Sequence, residues 1–167
     1  MNIMISSILD IGRTEGAQFE QPKNIDLVEF IKYKTNDYNM LAAKKSITIK
    51  FSSNVYSLQM MIQETLFNQI LQNFVQNAIK FTPNGKTIKI KLKKIDDKVI
   101  LNVIDEGIGI DENIDVFAPF KKVGKENGVG LGLYLAKIAS DALNAKISIK
   151  NREDGKTGAI AKLELTL

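Results

Sequence analysis

The sequence predicts an α/β sandwich of the α+β kind, two layers deep, in which a mixed and mostly antiparallel sheet carries helices packed on one face. Two patterns predict it. Runs that alternate apolar and polar residues are interleaved with runs of three- and four-residue apolar spacing, so strands and helices follow one another along the chain. Two strand junctions, Asp96-Asp97 and the stretch around Glu153-Asp154-Gly155-Lys156, are hairpin signals that demand antiparallel neighbours. The interleaved helices must then bury their apolar stripes against one face of that sheet. A length of 167 residues, 44% hydrophobic and 25% charged, suits one such domain with a single core.

The elements follow in order. Met1, Met4, Ile5, Ile8 and Ile11 form one apolar seam on a short leading helix. It starts at full periodicity without a capping residue, which reads as the tail of a longer helix over residues 1–18. Residues 19–25 then link it to a domain spanning 26–167; an ordinary first helix packed on its own domain is the alternative. Asp26 and Glu29 make a capping-box-like start, and Leu27, Ile31, Tyr38 and Leu41 carry a helix to about Lys44. Ile47, Ile49 and Phe51 alternate with polar residues in a half-buried strand, and the NVYSLQM that follows is ambiguous. From about Gln59 to Phe81 the spacing is helical, with Ile62, Leu66, Ile70, Phe74 and Ala78 on one face, until Pro83-Asn84-Gly85 stops it.

TIKIKLKKI and VILNVID are the two strands of the first hairpin, and the Gly-rich stretch from Glu106 to Asn127 reads as a long loop. GLGLYLAKIASDAL is helical, and KISIKN and AIAKLELTL form the last hairpin. Lys86, Lys89, Lys91 and Lys93 alternate with apolar residues, placing their charges on one sheet face. No aromatic interleaves to stack a base, so the face reads as solvated and not as a nucleic-acid surface.

Composition narrows the chemistry. The chain has no His, Cys or Trp, which excludes Ser-His-Asp and Cys-His triads, thiolate nucleophiles, zinc sites of the usual N/S kind and disulfides. Carboxylate, amide, hydroxyl, ammonium and backbone groups remain. A formal net charge of +4, from 23 basic and 19 acidic residues, favours anionic partners only weakly. No apolar run approaches the roughly 18 residues that span a bilayer, and the start of the chain lacks a signal-peptide pattern, so a cytoplasmic domain without direct membrane contact is expected.

Three constellations offer chemistry. Asn73, Asn77 and Lys80 lie at i, i+4 and i+7, so they form a polar stripe opposite the apolar one. Two amides and an ammonium in a row suit a hydrated divalent cation beside phosphate, or a plain solvated face. Asp105 ends a strand and opens DEGIGI. A carboxylate there can accept from an exocyclic amine while Gly107 and Gly109 let the backbone approach a flat ring, or the motif is a simple turn. Gly128, Gly130 and Gly132 precede a helix and leave backbone N–H groups free at its start, a phosphate cradle without the spacing of a dinucleotide-binding fingerprint or a Walker loop.

In this order and spacing the motifs resemble the ATP-binding domain shared by sensor histidine kinases and the related gyrase, Hsp90 and MutL ATPases. The asparagine box is NFVQNAIKFT from Asn73 to Thr82, the first glycine box DEGIGI, the Phe-containing box FAPF from Phe117 to Phe120, and the second glycine box GVGLGL. ILDIGRTEGAQF is similar to the end of the second helix of the kinases' dimerisation hairpin. The resemblance implies a Bergerat-type ATP-binding fold with ATP and Mg2+ as cofactors. Asn77 would ligate magnesium, Asn73 and Lys80 would position the phosphates, and Asp105 would accept from the adenine amine. Gly107 and Gly109 would line the base pocket, Gly128, Gly130 and Gly132 with the backbone of Leu131 would close over the phosphates, and Phe81, Ile110 and Leu133 would also bind the nucleotide. Phe117 and Phe120 would anchor a lid in which Lys121, Lys122 or Lys125 reaches toward the γ-phosphate or stays solvated.

The family's hydrolysing branch carries a Glu four residues before the magnesium-binding Asn. This chain has Asn73 there, and an amide is a poor general base. The resemblance therefore implies a catalytic domain that donates the γ-phosphate to a histidine on a dimerisation domain absent from this chain, with a response regulator downstream. A nucleotide-binding regulatory module without transfer and a gyrase-type hydrolase are the alternatives. The sequence departs from the family pattern in a short lid from Phe120 to Gly128, in Leu66 where an Arg is common, and in Asn144-Ala145 where a double glycine is usual.

Overall fold

The computed structural model describes residues 19–120 and 130–167, together with Gly12, Gly16 and Ala17. The remnant helix expected over 1–18 therefore lies outside the described residues apart from those three. Strand β1 (Lys23–Asp26) leads directly into helix α1 (Leu27–Ala42), followed by a single 3-10 turn, Ala43–Lys45, and strands β2 (Thr48–Ser53) and β3 (Gln59–Ile62). Helix α2 (Glu64–Phe81), the hairpin β4 (Thr87–Ile95) and β5 (Lys98–Ile104), helix α3 (Gly132–Ala142), and strands β6 (Lys146–Asn151) and β7 (Ala159–Thr166) complete the domain.

The main sheet has five strands in the order β2-β4-β5-β7-β6. β2 runs parallel to β4 and every other neighbour is antiparallel, which gives the mixed, mostly antiparallel sheet the hairpins required. Register aligns the apolar rows: Ile90 faces Val103 and Leu101 faces Leu163, so the inward residues form one continuous apolar face. That face merges with Leu27 and Ile31 of α1, Phe67, Ile70 and Phe74 of α2, and Ala136 and Ala139 of α3 into one buried core. Lys89 and Lys93 of β4 point to the opposite, exposed face, as their alternation with Ile88, Ile90 and Leu92 requires.

Asp26 is the N-cap of α1, because its Oδ1 accepts from the N–H of Val28 at 2.9 Å and of Glu29 at 3.3 Å. Its Oδ2 accepts from the Ser57 hydroxyl and from Gln59 Nε2 at 3.2 Å. Led by the Ser57 bond, these donors hold the carboxyl below the usual aspartate range. One side chain thus starts α1 and ties down the chain ahead of β3.

Two expectations are corrected here. The helix expected from about Gln59 begins at Glu64, and Gln59–Ile62 instead pair as β3 with β1 in a separate two-stranded antiparallel sheet. Ile62 satisfies both patterns: it lies four residues before Leu66, yet it also alternates with Met60 and Leu58, and pairing with Lys23 decides for the strand. Lys23 to Ile25, expected within a connecting stretch, are accordingly strand.

The helix ends position the site. α2 stops before Pro83, and the Lys45 ammonium donates to the free carbonyls of Ile79 at 2.8 Å and Lys80 at 3.0 Å, where cation and helix dipole agree. At the end of α3 the N–H groups of Ala145 and Asn144 donate to the carbonyls of Ser140 and Asp141. Asn144, at φ +52°, occupies the left-handed position of this Schellman motif, which suits glycine best and asparagine next.

Candidate functional site

Asp105 sits where β5 leaves the sheet. Its N–H donates to the Ala159 carbonyl at 3.0 Å, and its Oδ1 accepts from the N–H of Gly107 at 2.8 Å and of Ala159 at 3.1 Å. One oxygen of the carboxylate is thereby locked by two backbone donors. Among the described residues Oδ2 takes part in no hydrogen bond, which leaves an oriented acceptor. Burial pushes the carboxyl above the usual aspartate range, against the two N–H bonds and the charge of Arg152, which pull it down.

The glycines after Asp105 are required by close approach. A Cβ on Gly107 would lie 2.7 Å from the carbonyl oxygen of Phe81, so a side chain there would push the loop off the end of α2. Gly109 adopts φ +82° and lies against Asn151 Oδ1. Loop, helix end and the tip of the sheet are thus held within van der Waals contact by the absence of two side chains.

Helix α2 presents the polar stripe as its spacing requires. Asn73 is buried, with Nδ2 donating to the Gln69 carbonyl at 2.8 Å and Oδ1 lying 2.6 Å from the point where a Cβ on Gly132 would stand. Asn73 and the start of α3 are therefore adjacent, which joins the asparagine box to the second glycine box across the contact of the two helices. Asn77 and Lys80 are half-buried on the same helix, and the Lys80 ammonium lies 5.0 Å from the centre of the Phe81 ring. Leu131, at the N-cap of α3, is buried, Gly130 has φ +76°, and Leu133 is half-buried against the core.

Phe117 and Ile110 border a groove of about 560 Å³, whose other wall is Ile149, Asn151 and Arg152 at the end of β6. Asn73, Asn77 and Lys80 do not line it. Phe120 is exposed, with φ +61°. Lys122 and Gly128, with Lys121 and Lys125 of the expected lid, lie outside the described residues.

Three residues of this region carry no signal that a sequence reading could use. Asn151 and Arg152 come from the far end of the chain, and both reach the loop after Asp105. Gly158, at φ +123°, packs so closely on the Asp105 carbonyl that no Cβ fits between them. Arg152 and Gly158 also bond to each other through the main chain, with N–H to carbonyl at 3.0 Å.

The profile of the family described as histidine kinase-, DNA gyrase B-, and HSP90-like ATPase matches residues 62–167. The chain is 30% identical over 171 residues to the sensor protein KdpD of Clostridium acetobutylicum, covering 97% of this chain and 18% of that protein. It is 27% identical over 163 residues to the sensor protein kinase PilS of Pseudomonas aeruginosa, covering 93% and 30%. The chain thus spans less than a third of the length of these curated relatives. Among solved structures, the catalytic domain of histidine kinase ThkA is similar at a TM-score of 0.77 and 29% identity, covering 88% of this chain and 98% of that one. Full-length ShkA in complex with AMPPNP shares the fold at a TM-score of 0.84 and 24% identity, covering 96% and 34%.

Proposed function

The chain belongs to the histidine kinase-, DNA gyrase B- and HSP90-like ATPase family, and from that premise we propose that it is the Mg-ATP-binding catalytic domain of a sensor histidine kinase. The observation that carries this reading is the Asp105 carboxylate: one oxygen is locked by the N–H groups of Gly107 and Ala159 and the other is left to accept from the adenine amine. Gly107 and Gly109 keep the loop flat beside the base, with Phe81 and Ile110 near it. Asn73 and Lys80, with Gly130, Leu131, Gly132 and Leu133 at the start of α3, serve the phosphates, as do Lys122 and Gly128. Phe117 and Phe120 belong to the same proposed site.

The donor set fits magnesium in one way. Among the described residues no group of three or more carboxylate, His or Cys side chains could hold a metal. A hard cation that keeps water and phosphate oxygens as ligands and takes the neutral amide oxygen of Asn77 matches such a site. Magnesium bound there would offset the charge that builds on the phosphates during transfer.

Transfer is favoured over hydrolysis by Asn73, whose amide cannot accept a proton from water near neutral pH. Phosphoryl transfer asks of the protein mainly positioning and charge neutralisation, which amides, lysines and backbone N–H groups supply. The acceptor is a histidine on a dimerisation domain, since this chain has none. A response regulator is the proposed next partner; a related structure shows histidine kinase ThkA in complex with response regulator TrrA, at a TM-score of 0.73 and 28% identity.

The test is to mix the chain with a separately supplied dimerisation hairpin and radiolabelled Mg-ATP. Label on the hairpin histidine is expected. Nucleotide binding without label at saturating Mg-ATP would instead identify a regulatory module, and steady phosphate release abolished by Asn73→Ala would identify a hydrolase.

A further inference from the structure

The last residue of β6 and the one after it grip the two ends of the loop from Asp105 to Ile110. The Arg152 side chain is 7% exposed, and its Nη1 donates to the main-chain carbonyl of Asp105 at 3.1 Å. Asp154 takes the rest of the fork, with Nε to Oδ1 at 3.0 Å and Nη2 to Oδ2 at 2.5 Å, so the planar group is held in one orientation. Asn151 holds the far end of the loop: its Oδ1 accepts from the Ile110 N–H at 2.8 Å and its Nδ2 donates to the Ile110 carbonyl at 3.0 Å. Its amide also donates to Glu112 at 3.1 Å.

The contacts that Arg152 and Asn151 make with Asp105 and Ile110 fall on main-chain atoms, so they fix where the loop sits whatever side chains the loop carries. Gly158 closes the remaining side of the Asp105 carbonyl. Asp105 is therefore fixed at its N–H, its carbonyl and its Oδ1, and among the described residues Oδ2 has no partner.

Resting on the nucleotide-binding reading above, we propose that Asn151 and Arg152 are positioning residues that aim Asp105 Oδ2 at the purine 6-position and so set a preference for a 6-amino over a 6-oxo base. An ionised carboxylate can only accept. It bonds the amine of ATP and meets the carbonyl of ITP as one acceptor facing another. That discrimination depends on a fixed distance and angle, because a hydrogen bond weakens steeply once misaligned. A loop released by about 1 Å would admit a water between Oδ2 and either base and erase the difference. The charged group that acts on Asp105 is Arg152, which favours its ionised form, while the neighbouring Glu106 accepts at Oε2 from the Thr87 N–H at 3.0 Å.

The experiment compares dissociation constants for ATP and ITP on the full chain. Wild type is expected to prefer ATP on the order of 100-fold. Arg152→Met and Asn151→Leu should each compress that ratio by about 10-fold or more, by weakening ATP far more than ITP. Arg152→Lys, which keeps a donor, should restore part of it. In an Asp105→Ala background Arg152→Met should leave the ratio unchanged, since there is then no polar side chain to aim. Parallel weakening of both nucleotides would overturn the proposal and make the pair merely structural, as would an equal effect of Arg152→Met with and without Asp105. Should Arg152→Met fail to fold by thermal melt, the Asn151→Ser and Arg152→Lys ratios decide in the same way. A wild-type chain that binds neither nucleotide would overturn the nucleotide reading itself, whereas a preference that the variants keep would overturn only the positioning.

Discussion

Asp105→Asn separates the site from the fold, because it keeps shape and removes charge. Two terms oppose each other in stability. The bonds from Gly107 and Ala159 to Oδ1 fall from charge-assisted, about 1.5–3 kcal/mol each, to neutral, about 0.5–1.5 kcal/mol each. Against that, the variant no longer buries a carboxylate, and burial is the largest influence on this group. The net direction is upward, so the ionised form is less favourable in the folded chain than in the unfolded one. The stability that Asp105 itself contributes is then greatest below the usual aspartate value of 3.8 and is lost as pH rises through its higher folded value.

At neutral pH, therefore, Asp105→Asn is expected to lie within about 1 kcal/mol of wild type or above it, and any advantage should shrink as the solution is acidified. Binding moves the other way. With Oδ1 still claimed by two N–H donors, the new amide nitrogen takes the place of Oδ2 and presents a donor to a donor. The lost charge-assisted bond and the added repulsion together predict ATP affinity about 100-fold weaker. Urea unfolding at two pH values and calorimetric titration with a non-hydrolysable ATP analogue measure both. A variant destabilised by more than about 2 kcal/mol that still binds nucleotide within threefold of wild type would refute the assignment of a structural role to Oδ1 and a ligand role to Oδ2.

Other substitutions probe the frame around the site. Gly158→Ala must place a Cβ against the Asp105 carbonyl at φ +123°, so the unfolding midpoint in urea should fall by the equivalent of about 3 kcal/mol; an unchanged midpoint would contradict the close approach. Lys45→Met keeps the stem but removes the donor to the Ile79 and Lys80 carbonyls, and a loss of about 1–2 kcal/mol should appear as a drop of several degrees in Tm. Asn144→Gly should raise stability by about 0.5 kcal/mol and Asn144→Ala lower it by about 1 kcal/mol, because the position at φ +52° suits glycine best and alanine least of the three. The opposite order in chemical denaturation would show that the helix end is not held in the left-handed conformation.

Local chemistry was legible before any coordinates. The Asp26 cap, the stop at Pro83, the turn at Asp96-Asp97 and the apolar stripe of α2 each depend on residues within a few positions of one another, and each stands where spacing and turn preference placed it. The order of the asparagine and glycine boxes was equally plain, since a motif is itself a local pattern. Tertiary structure decided what local pattern left undetermined. Ile62 fits a helix by its distance from Leu66 and a strand by its alternation with Met60, and only pairing with Lys23, far along the chain, resolves the two. β2 runs parallel to β4 because the intervening chain, β3 and α2, carries it back across the fold, a matter of connection that no periodicity encodes. Asn151, Arg152 and Gly158 meet the Asp105 loop from more than forty residues away, through main-chain atoms that every residue possesses. Their roles leave no trace in residue type or spacing, because the chemistry they serve belongs to Asp105 and their own contribution is to hold it in place.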